Sequence, residues 1–178
     1  LGPNVNANMT PGNAPRAFGL VQTAKRLSEN VSPKEKLLIN ALEARYTATE
    51  PEDRKSLNED YAKGMKAVMQ AYPEDAHIAA LTAESLMDVH PWDFWDAEGT
   101  TRPWTTEITD TIETALTLDA KHIGAIHLYI HAVEQSTTPE RAEPYADTLA
   151  DLAPAAGHLV HMPAHIYMRV GRYHDATL

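Results

Sequence analysis

Six of the nine histidines in this 178-residue chain lie between His122 and His165, and their spacing is regular. His127 and His131 are four residues apart, one turn of a helix, and Glu134 continues the same face. His161 and His165 repeat that spacing, with His158 one turn earlier. His127 to His161 is 34 residues, and so is His131 to His165. Neutral imidazole is a ligand for zinc, copper, iron or nickel. The expected ligand set is His127, His131, His161 and His165 around one divalent transition metal. A carboxylate such as Glu134 or Glu84 would complete or orient the shell. The alternative is that these histidines form a polar, hydrogen-bonding lining without metal. Other chemistry is poorly represented. There is no cysteine, no GxSxG, no HExxH and no phosphate-cradling glycine loop.

Such spacing needs helices to hold it, and helical periodicity recurs along the chain while strand signals are weak. Eight helices are expected, and the all-α class follows. They begin with AFGLVQTAKRL and with SPKEKLLINALEARY, where Ser32 is the candidate N-cap, Pro33 the first helical residue and Glu35 its capping partner. They end with HIGAIHLYIHAVEQ, TPERAEPYADTLADL and GHLVHMPAHIYMRV. Residues 1–16 are rich in turn formers and read as an irregular arm. Residues 17–178 carry the helices.

The helices also repeat. QAYPEDAH, TLDAKHIG and DLAPAAGH align at Pro73, Ala120 and Pro154, with separations of 47 and 34 residues. The second is the period of a tetratricopeptide (TPR) helix–turn–helix unit. The first exceeds it by 13 residues, which fall in an aromatic and acidic insertion at about 90–104. The expected architecture is a right-handed α-solenoid whose A-helices line a concave groove. Its register gives Glu84, Asp88, Glu134, His158 and Arg169 to the groove with the metal set. Trp92 and Trp95, in the insertion, either anchor that loop or form a lid over the groove.

Composition narrows the partners. Fifteen basic residues against 25 acidic ones give a formal charge of -10, which disfavours nucleic acid and anionic lipid. No apolar run approaches a membrane span. The chain opens on Leu1, which fits a mature form or an internal fragment.

The strings LGPNVNANM, LMDVHPWDFWD, HLYIHAVE and GHLVHMPAHIYMRVGRYHDA resemble a family of bacterial TPR proteins over nearly the whole chain. The resemblance implies a fragment of an exported, periplasmic or secreted protein, and it implies no reaction. Three functions are therefore open at the level of sequence. The leading one is a scaffold that binds a protein or peptide in its groove through a His-rich, metal-binding site. The second is a metal-dependent enzyme with a carboxylate general base. The third is a structural module that assembles with copies of itself.

Overall fold

Helix formation follows the local signals closely. The computed structural model describes residues 2–177 and is all-α, with no strand among them. Its helices are α1 (Ala14–Leu27), α2 (Pro33–Glu43), α3 (Lys55–Ala71), α4 (Ala76–Val89), α5 (Thr105–Leu118), α6 (Ile123–Val133), α7 (Glu143–Leu152), α8 (Gly157–His161) and α9 (Pro163–Val170). Helix α2 starts at a complete capping box, Ser32 and Glu35 each satisfying the other's backbone N–H. Helix α1 begins at Ala14, earlier than expected, because Pro15 fits its first turn.

The expected eighth helix is divided into α8 and α9. Pro163 has no N–H to donate, so the ladder is interrupted at Met162, whose backbone remains helical. Helix α9 ends on Gly171 at φ 82°, a left-handed cap that glycine adopts without a Cβ penalty.

The described chain divides into two compact units. The first comprises residues 2–74 with 84–92. Here α2 packs against both α1 and α3. A Cβ on Gly64 of α3 would lie 3.0 Å from the Ala41 backbone of α2, so the glycine permits that close approach. Arg45 and Asp88 form an ion pair in this unit with side chains 8% and 2% exposed. Arg45 also donates to the Pro3 carbonyl at 2.9 Å, which ties down the N-terminal segment, and Asn58 donates to the Asp88 carbonyl at 3.0 Å.

The second unit comprises residues 75–83 with 93–177. Helix α6 lies at its centre, packed against α5, α7 and α9. Ala125, Ile126 and the whole run Leu128–Val133 are buried. A helix that is apolar almost all round must be covered on every side. The polar side chains in that buried run are the Tyr129 phenol, which donates to Glu113, and the His131 imidazole, 4% exposed.

The positions that align in the repeat register are all buried: Tyr61, Met65 and Val68 in the first unit, and Ile108, Ile112, Ala115, Ala142, Ala146 and Leu149 in the second. Bulk at a fully covered position of this kind should cost more than bulk at a half-covered one. Ala142→Trp, at a residue with no exposure, is expected to lower the melting temperature by roughly 3–10 °C. Ala164→Trp, at the edge of a groove, should lower it much less. Thermal unfolding of the two variants checks this.

Candidate metal centre

The central helix presents His127, His131 and Glu134 on one face, and α8 and α9 bring His158, His161 and His165 towards it. His127, His131 and His158 place one ligand atom each within 4.8 Å of one another, and so do His131, Glu134 and His165. The Nε2 atoms of His127 and His158 are 3.1 Å apart, and those of His161 and His165 are also 3.1 Å apart. Two nitrogens bound to one ion at 2.0–2.1 Å stand about 2.9 Å apart at an octahedral angle and about 3.4 Å at a tetrahedral one. Both pairs fall between these values.

Glu134 settles which imidazole nitrogens carry the proton. Its Oε1 is 3.1 Å from His131 Nδ1 and its Oε2 is 2.8 Å from His165 Nδ1. An ionised carboxylate is acceptor-only, so both imidazoles carry a proton on Nδ1 and donate it. In their neutral forms the lone pairs then sit on Nε2. This is the carboxylate–histidine arrangement that orients metal ligands. Burial works against the charge on Glu134, but the hydrogen bonds from His131 and His165 outweigh it and hold the carboxyl at about 2. The same hydrogen bond from His165 moves that imidazole upward. His127 is pushed down to about 4, by burial first and then by His131, His158 and His165. His127 resists protonation in this way and keeps a lone pair available to a cation.

Neighbouring elements hold the centre in place. Trp95 of the insertion donates its indole N–H to the Ala132 carbonyl at 2.6 Å, capping the last turn of α6 beside His131. Phe94 is 2% exposed, and Trp104 donates to the Asp93 carbonyl at 2.6 Å. Trp95 and Trp104 are therefore anchors of the loop.

The sequence-predicted residues are distributed as follows. His127, His131 and His158 stand together, although His158 was expected among the groove residues and outside the ligand set. His131, Glu134 and His165 form an overlapping group, and His161 reaches His165. Arg169 borders a groove of about 530 Å³ with Glu134, His161 and His165. Glu84, Asp88 and Trp92 belong to the first unit. Burial raises Glu84, and it raises Asp88 to about 7 against the opposing charge of Arg45. Trp92 is 41% exposed with φ 62°, a backbone region uncommon for a non-glycine residue.

Two features were missed from sequence. Arg45, in an ordinary helical string, carries no local sign that it will be buried. His122 stands at a turn yet is half-buried: its Nδ1 accepts from the Ala125 N–H, which caps α6, and its Nε2 is 2.7 Å from His77 Nδ1.

The metal-free centre should make folding acid-sensitive. His127 stays neutral in the folded chain down to about 4, whereas an unfolded histidine takes a proton near 6.5. Between those values the unfolded state binds more protons, so stability falls as the pH falls. Glu134, held at about 2, acts in the same direction at lower pH, its contribution being lost as the pH drops below the ordinary carboxylate range. His165, moved upward, partly offsets the loss. Replacing His127 by Gln should recover about 1–2 kcal/mol of the stability lost between pH 7.5 and 5. Urea midpoints of both proteins in chelator provide the check; equal pH slopes would count against a half-buried, neutral His127.

In comparisons with known proteins, the chain matches no family model, no curated protein and no solved structure.

Proposed function

We propose that this chain is a TPR-like helical binding scaffold that carries a divalent transition-metal centre, with His127, His131 and His158 as ligands. The observation that carries the reading is the convergence of these three imidazoles with Glu134 fixing the His131 tautomer. Three nitrogen ligands suit zinc, copper, iron or nickel, and they leave a fourth position for water or a bound group. The ion would sit near the C-terminal end of α6, where the helix dipole favours positive charge.

The scaffold part of the reading is supported by the 34-residue register and by the burial of every packing position that it names. It is supported too by the contact of α6 with α9, the two helices that the register makes equivalent. A protein or peptide occupying the groove, and a periplasmic or secreted location, remain part of the proposal on the strength of the family resemblance.

Protein prepared without an affinity tag and stripped of metal tests this directly. Zinc or copper at 100 times its dissociation constant should stabilise the fold by about 2.7 kcal/mol, raising the melting temperature by roughly 5–10 °C at pH 7.5. The rise should vanish by about pH 5, because each ligand must lose its proton to coordinate. His131→Ala with His158→Ala should remove most of the rise while leaving the helical circular dichroism unchanged. A melting temperature indifferent to these metals at pH 7.5 would leave the cluster as a polar lining and remove the metal from the proposal.

A further inference from the structure

We infer that the same cluster holds a second, more open divalent-metal position, formed by the Nε2 atoms of His161 and His165 and facing the groove beside Arg169. This inference rests on the reading of His127, His131 and His158 as the first position.

The donor count is the starting point. Five imidazoles and one carboxylate stand in this part of the second unit, more than one four-coordinate ion can use. With His127, His131 and His158 assigned, His161 and His165 are left over. Their Nε2 atoms face each other at 3.1 Å, the same separation as in the first pair. His165 is also oriented from behind. Its Nδ1 donates to Glu134 Oε2 at 2.8 Å, while Oε1 of the same carboxylate takes the Nδ1 proton of His131 at 3.1 Å. One carboxylate therefore points one imidazole of each pair at its own ion, and neither oxygen is needed as a direct ligand.

The two positions differ in their surroundings. The first includes His131, which is buried in α6. The second lies on α8 and α9, where His161 is exposed and His165 half-buried. Both border the groove of about 530 Å³ that Glu134, Ala164, Met168 and Arg169 complete. Two imidazoles fill half of a tetrahedral shell, so the ion there keeps positions for water or for an oxygen ligand arriving through the groove. The Arg169 guanidinium weakens the site for a bare cation and favours an anionic oxygen ligand on it. The second position should accordingly bind metal more weakly and exchange it faster than the first.

Equilibrium dialysis of the whole metal-free chain with zinc at pH 7.5, read by elemental analysis, tests the inference. Two equivalents are expected, one tight and one at least tenfold weaker. His161→Ala with His165→Ala should remove the weak equivalent and keep the tight one. His127→Ala with His158→Ala should remove the tight one and keep the weak one. The single variant His161→Ala, which alters an exposed side chain, guards against misfolding and should lose the weak equivalent alone. One equivalent that survives loss of His161 and His165 would overturn the second position and leave the first intact. One equivalent abolished by either double replacement would overturn it as well, since both pairs would then serve a single ion. No bound zinc would overturn both readings.

Discussion

An ionised carboxylate cannot donate a hydrogen bond, and the arrangement of the second unit's imidazoles depends on that restriction. Glu134 sits at the C-terminal end of α6 with its side chain 12% exposed, between His131 from its own helix and His165 from α9. Because it can only accept, both neighbours must carry their protons on Nδ1. The Nε2 lone pairs are then aimed away from the acid, towards His127 and His158 on one side and His161 on the other. Without that carboxylate the five rings could adopt many tautomers and rotamers, and the cluster would have no defined set of donor atoms.

Holding Glu134 and His131 in place is the task of an apolar helix. Helix α6 is covered on all sides, so its rotation and depth are set by the packing of Ile126, Ile130 and Val133, each with no exposed surface. The indole of Trp95 fixes the end of the same helix by donating its N–H to the Ala132 carbonyl. A polar constellation built on such an element inherits its rigidity, which is what a preorganised site requires. The interruption at Pro163 serves the same end from the other direction, since the backbone at Met162 stays helical and keeps His158, His161 and His165 in one series.

The first unit is organised around a different polar interaction. Arg45 and Asp88 are buried together, and Arg45 lies 4.5 Å from the centre of the Tyr61 ring while donating to the Pro3 carbonyl. Removing one partner of such a pair leaves an uncompensated buried charge, at a cost of about 3–5 kcal/mol. The acid that the repeat register assigned to a groove thus has a structural partner, and that partner also anchors the N-terminal segment.

Local chemistry was legible in the sequence, and the structure shows why. The capping box at Ser32 and Glu35 and Pro33 at the first helical position act within a few residues, so their effect can be read from the string itself. The apolar spacing within each helix likewise named the buried packing positions, because burial of one helical face imposes a period of about 3.6 residues on apolar side chains. The grouping of the donors was decided by tertiary structure. Spacing along the chain placed His127, His131, His161 and His165 on matching faces, but it carries no information about the rotation of α8 and α9 against α6. That rotation puts His158 with His127 and His131 and turns His161 towards His165. The burial of Arg45 with Asp88, 43 residues away, was equally invisible, since a charged pair leaves no periodic trace in sequence. The sequence determined which residues could meet on a helix, and the packing of one helix on another determined which of them do.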